Sequence, residues 1–120
     1  MSGTANPHKI SERITVEAPG TPTRASFNGE TVAESDNALV LLEKGYQPRI
    51  YFPQADVRMD LLSRTDKKTH CPFKGDAAYW TLTAAGETLE NAAWAYLEPL
   101  DEITIIAGHL SFADAVKVDS

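Results

Sequence analysis

Ala78-Tyr79-Trp80-Thr81-Leu82-Thr83, closed by Ala85-Gly86 and followed by Glu87-Thr88-Leu89-Glu90-Asn91-Ala92-Ala93-Trp94-Ala95-Tyr96-Leu97, is the stretch whose reading decides the fold. Its first six residues are rich in aromatic and β-branched types and put Trp80 and Leu82 on one face, so they read as a strand. Ala85-Gly86-Glu87 is its turn. The remainder carries two periodicities. Its alanines, with Leu89, Ala92, Ala93 and Tyr96 at helical spacing, suit a helix over 87–97. A period of two instead places Ala92, Trp94 and Tyr96 on one side and pairs the segment with the preceding strand across Gly86. Pattern alone leaves both open.

Working outward, most remaining segments are short and extended. Ile14 and Val16 alternate with polar neighbours in a strand that starts near Glu12 and is broken by Pro19-Gly20-Thr21-Pro22. Phe27-Asn28-Gly29-Glu30 is a hairpin signal, because both central residues of the tight turn tolerate positive φ. Ala38 to Lys44 fits a buried strand or two helical turns capped by Asp36, and Arg49-Ile50-Tyr51-Phe52 is a strand stopped by Pro53. Asp56 to Leu62 fits one or two short helical turns with Asp56 as cap, and Ser63 to Thr69 reads as a polar turn. Ile103 to Ile106 and Val116 to Val118 add extended candidates. The count of strands predicts a mainly β fold with short helical turns.

The chain of 120 residues suits a single domain over residues 12–120, preceded by a loose polar arm over residues 1–11 that contains Pro7 and Gly3. Its apolar runs are too short to cross a bilayer, and the N-terminus lacks the apolar core of a signal peptide, so a cytoplasmic location is expected, with no membrane partner. One cysteine, Cys71, excludes an internal disulfide and a thiolate-rich zinc site. A formal net charge of -6 argues against nucleic acid, which needs a positive footprint. Positive charge is nevertheless concentrated between Arg58 and Lys74, which favours a small anionic ligand unless these charges only solvate a loop.

His70-Cys71-Pro72-Phe73-Lys74-Gly75-Asp76 gathers the chemistry-bearing residues. Cys71 is the candidate nucleophile or else an inert buried thiol, and His70 is its neighbour but points to the opposite face in extended chain. Lys74 brings a mobile positive charge, while Gly75 lets backbone amides approach an anion. Nucleotide-binding glycine loops are missing. His70, Cys71, His109 and Asp76 lack the spacing of a structural metal site, so neither metal nor other cofactor is expected. Tyr51, Trp80, Trp94 and Tyr96 serve as core aromatics or, for Trp94 and Tyr96, as walls that stack on a planar ligand.

Tyr51-Phe52-Pro53 with Asp56-Val57, the Thr69-to-Gly75 stretch and Glu90-Asn91-Ala92-Ala93-Trp94-Ala95-Tyr96 together resemble the DUF427 family over residues 12–118. That family is of unestablished function and is sometimes labelled nucleotidyltransferase-like. The resemblance implies a compact, tent-like antiparallel β domain, and so favours the strand reading of 89–97. It also implies one shared site at Tyr51, Asp56, Arg58, His70, Cys71, Lys74, Gly75, Trp94 and Tyr96. The nucleotidyltransferase label fits poorly, because the glycine-serine motif followed by paired carboxylates is absent, and Asp56 and Asp60 are explained by capping and solvation. Two functions are therefore expected as alternatives. The first is a pocket for a small anionic, partly planar molecule, with His70 and Cys71 as catalytic candidates and Tyr51, Arg58, Lys74, Gly75, Trp94 and Tyr96 as ligand-binding ones. The second is a non-enzymatic protein-interaction module.

Overall fold

The computed structural model describes residues 8–9 and 11–119. The strands, in chain order, are β1 (His8–Lys9), β2 (Ile14–Glu17), β3 (Thr23–Phe27), β4 (Glu30–Ser35), β5 (Leu39–Glu43), β6 (Arg49–Tyr51), β7 (Leu62–Cys71), β8 (Gly75–Ala84), β9 (Glu87–Tyr96), β10 (Leu110–Phe112) and β11 (Lys117–Asp119). They form three antiparallel sheets, ordered β1-β2-β5-β6, β10-β9-β8-β7 and β11-β3-β4. The fold is mainly β, with few short helical turns. Of the expected N-terminal arm, residues 1–7 and 10 lie outside the described residues, while His8 and Lys9 pair with Val16 and Thr15.

Glu87 to Tyr96 is a strand, and the helical option is excluded. The two sides of β8 and β9 explain why this alanine-rich segment is extended. Ala78, Trp80, Leu82, Ala93 and Ala95 pack into one core with Ala25, Phe27, Val32 and Ala33 of the β11-β3-β4 sheet. Ala77, Tyr79, Trp94 and Tyr96 pack instead with Ile14, Val16, Leu41 and Tyr51 of the first sheet. A strand covered on both faces needs apolar residues at every position, and alanines let the sheets approach closely. Ala92 corrects the simple alternation. It joins the same core as Ala93 and Ala95, because Asn91 at φ 51° bulges the strand where the β8–β9 register shifts.

Other expectations resolve with clear physical causes. The Asn28-Gly29 hairpin forms, both residues taking positive φ (50° and 85°). Residues 39–43 are strand β5, and residues 54–61 hold two 3-10 turns, Gln54–Asp56 and Met59–Leu61. Neither turn has a side-chain cap; Asp56 instead accepts a 2.6 Å hydrogen bond from Ser35 Oγ. Ser63 to Thr69 is not a turn but the middle of β7, whose polarity reflects an exposed edge strand carrying Arg64, Lys67 and Lys68. Ile103 to Ile106 is not extended either. It lies in a kinked 3-10 segment, Asp101–Ile106, where three residues per turn bury Ile103 and Ile106 together.

One seam locks the first sheet to the second. Phe52, following β6, exchanges both backbone hydrogen bonds with Leu110 at 2.7 and 2.8 Å, and its ring meets Phe112 edge-on at 5.8 Å. Phe52 is fully buried, so its truncation to alanine costs about 3–5 kcal/mol. This seam sets β5 and β6 against the Trp94 side of β9, and the space between them is the site.

Candidate functional site

The tip of the β7–β8 hairpin is built from the His70-to-Asp76 motif. Cys71 pairs with Gly75, and Lys74 N–H closes the turn onto the Cys71 carbonyl at 3.2 Å. Gly75 has φ +115°, and a Cβ there would sit 3.4 Å from the Pro99 Cα. Its role is therefore backbone conformation and close packing on residues 98–100, where Leu100 N–H also donates to the Lys74 carbonyl at 3.0 Å. The turn directs the Lys74 side chain toward β5. There its Nζ donates to Glu43 Oε1 at 2.7 Å, with the two side chains only 10% and 8% exposed. Burial works against the Lys74 charge, but the Glu43 hydrogen bond, with the neighbouring Cys71, the Glu43 charge and Tyr51, outweighs it, and the ammonium pKa is raised overall.

Beside this pair opens a cavity of about 940 Å³ that brings together Tyr51, His70, Cys71, Lys74, Trp94 and Tyr96. Six of the eight sequence-predicted site residues thus share one space. Gly75 does not line it. Arg58 does not either: it is exposed between the two 3-10 turns, forked onto Asp60 at 3.0 and 2.9 Å, with its N–H on the Val32 carbonyl.

Sequence reasoning missed Glu43, Arg49, Lys67, Tyr79, Asn91 and Asp114, which also line the cavity. Along one wall Lys67 Nζ lies 4.6 Å from the centre of the Tyr79 ring, Tyr79 and Trp94 are 6.4 Å apart, and Arg49 Cζ lies 5.3 Å over Trp94. Arg49 is paired at 2.8 Å with Asp114, which shares the cavity lining. Two strand irregularities build this wall. Three β7 residues, 65 to 67, span the place of Tyr79 alone on β8, which throws Lys67 to the cavity, and the β9 bulge does the same for Asn91. Thr65 Oγ1 ties the two bulges together by donating to Asn91 Oδ1 at 2.7 Å. At the buried end, Trp94 Nε1–H donates to the Tyr51 hydroxyl at 3.4 Å. Burial raises the Tyr51 and Tyr96 pKa values, so both remain neutral phenols at physiological pH.

A family model described as a domain of unknown function (DUF427) matches residues 15–120. The chain belongs to the DUF427 family. No curated protein matches the chain. Membership in DUF427 bears out the resemblance read from the motifs and brings no reaction with it.

Within this DUF427 domain, the two catalytic candidates are differently engaged. His70 Nδ1 lies 2.8 Å from Asp76 Oδ1, its cross-strand neighbour, and both side chains are more than half exposed. A carboxylate only accepts, so this contact puts a proton on Nδ1 and turns the ring toward Asp76. Cys71 is a half-buried free thiol in the cavity wall, electrostatically close to Lys74, Tyr51 and Tyr96. Among the described residues, no group of three His, Cys, Asp or Glu side chains is arranged to hold a metal ion. The arrangement offers a walled space with cations at its edge.

Proposed function

We propose that the cavity binds a small anionic molecule with a planar portion. The observation that carries this reading is the wall of Lys67, Tyr79, Trp94 and Arg49, in which a cation lies over each of two neighbouring rings. Ring faces favour a planar partner, and the cations favour a carboxylate or phosphate. Lys74 enters as one half of a buried ion pair, and Arg49 and His70 are paired at the exposed edge with Asp114 and Asp76, so Lys67 leads the attraction, with the partly exposed Arg49 beside it. A chain of net charge -6 with a local positive edge selects a small anion over a polyanion. Thermal-shift screening of aromatic carboxylates, sugar phosphates and nucleotides tests the reading, because a ligand of the folded state raises its melting temperature. Planar anions are expected to stabilise the wild type, with the effect lost in Lys67→Ala and Trp94→Ala. Stabilisation by neutral or cationic compounds instead would reject it.

The interaction-module reading is favoured by a different observation. Tyr46 and Phe73 line the same cavity yet are 70% and 46% exposed, which suits contact with a partner protein. On that reading Tyr46→Ala and Phe73→Ala abolish association, whereas Lys67→Ala weakens it only at low salt.

A further inference from the structure

The cavity has two chemically different ends. At its open edge stand Arg49, Lys67 and His70, all at least partly exposed, with Arg49 paired to Asp114 and His70 to Asp76. At its buried end stand Tyr51, Tyr96 and the Lys74–Glu43 pair. Among the described residues, Lys67 is the cation of this open end that no carboxylate pairs. The buried end is charge-balanced but rich in hydrogen-bonding atoms: two hydroxyls, a carboxylate, and an ammonium that spends one of its three N–H donors on Glu43.

From this gradient we infer that the ligand lies with its anionic group outward, at Arg49 and Lys67, and carries across its planar part a neutral hydrogen-bonding group, a hydroxyl or carboxamide, that enters the buried end. The inference rests on the anion-binding reading and names the class of molecule within it. Three alternatives for the inner group are disfavoured by the same atoms. A second carboxylate meets Glu43, a cation meets Lys74, and an apolar terminus strips water from Lys74 and the two hydroxyls without replacing its hydrogen bonds. A hydroxyl both donates and accepts, so it can face the ammonium, the carboxylate or either phenol. The two-ring length of the Tyr79–Trp94 wall matches a ligand with more than one ring.

Calorimetric titration of the wild-type chain with three synthetic probes tests this. They are biphenylcarboxylate, its derivative with a hydroxyl on the far ring, and the corresponding dicarboxylate. The hydroxy acid is expected to bind about tenfold tighter than the parent, the scale of one buried hydrogen bond, and the dicarboxylate no tighter than the parent. In the double variant Lys74→Met/Glu43→Leu, the ratio between hydroxy acid and parent is expected to fall to about one. A parent acid that binds while the hydroxyl adds nothing, or a dicarboxylate that binds tightest, overturns the inference and leaves the anion site standing. Wild type that binds none of the three anions but takes up neutral hydroxybiphenyl overturns the anion reading itself, and the inference with it.

Discussion

Removing the Glu43 carboxylate alone should be among the most damaging single changes outside the apolar core. In Glu43→Leu the Lys74 ammonium stays where only about a tenth of its side chain reaches water, without the 2.7 Å acceptor that compensates it. Truncating one partner of a buried pair costs about 3–5 kcal/mol, against about 0–1 kcal/mol for an exposed pair. The ammonium can escape by shedding its proton, which caps the cost. Lowering a lysine from its ordinary pKa to neutrality takes about 4–5 kcal/mol, so the cap falls at the upper end of that range. At roughly 4 °C per kcal/mol for a domain of this size, the melting temperature should fall by about 12–20 °C. Replacing both partners, as Glu43→Leu/Lys74→Met, should recover most of the loss, because no charge is then left buried. Urea unfolding of the four proteins in the double-mutant cycle, with unchanged m-value, supplies the numbers. A single variant that loses less than about 1 kcal/mol, or a double variant worse than either single, would refute the assignment of this pair as a buried, mutually dependent unit.

Three further outcomes follow from named atoms. Lys74, Tyr51 and Tyr96 all have raised pKa values, so above about pH 10 the unfolded chain releases protons that the native state still holds. Their contribution is complete below the unfolded values and is lost as pH climbs toward the folded ones; unfolding midpoints should decline steeply above about pH 10, less so in Lys74→Met, and a flat profile to pH 12 would contradict this. Asn91 holds φ 51°, so Asn91→Val should cost about 1–2 kcal/mol more than Asn91→Gly, and equal losses in chemical denaturation would show that the bulge is not strained for a side chain. Cys71 lies in the cavity wall, so saturating hydroxybiphenylcarboxylate should slow its alkylation by iodoacetamide at least severalfold, and an unchanged rate measured by mass spectrometry would put the ligand elsewhere.

Much of the fold was legible because turn chemistry and alternation are local signals. Asn28-Gly29 and Ala85-Gly86 mark hairpins, and the Trp80–Leu82 face is buried as its period indicates. The rest depends on context that no local window contains. Ser63 to Thr69 is polar because β7 is an edge, and Ile103 to Ile106 is β-branched yet coils because two isoleucines three apart reach one core. At the site, the aromatic and hairpin-tip residues were recoverable, since Tyr51, Trp94 and Tyr96 stand out in composition. Glu43 and Arg49 were not, for they look like ordinary strand-end charges until the Phe52–Leu110 seam brings β5 and β6 to β9. Lys67 and Asn91 are aimed by bulges; an asparagine amid alanines was the one signal available, because it tolerates left-handed backbone. Arg58 lies apart from the cavity for the opposite reason, as nearness in sequence to a basic stretch does not survive the intervening 3-10 turn.

The central claim is that the wall between Lys67 and Arg49 is a recognition surface for planar anions. Two-dimensional amide and indole NMR during titration with biphenylcarboxylate tests it most directly. The account predicts saturable shifts at the Trp94 indole N–H, which rests on the Tyr51 hydroxyl at 3.4 Å, and at the amides of Arg49, Lys67 and Asn91. Shifts confined to the separate groove of Arg64, Lys68, Leu97 and Leu100, with the Trp94 indole unmoved at saturation, would contradict it.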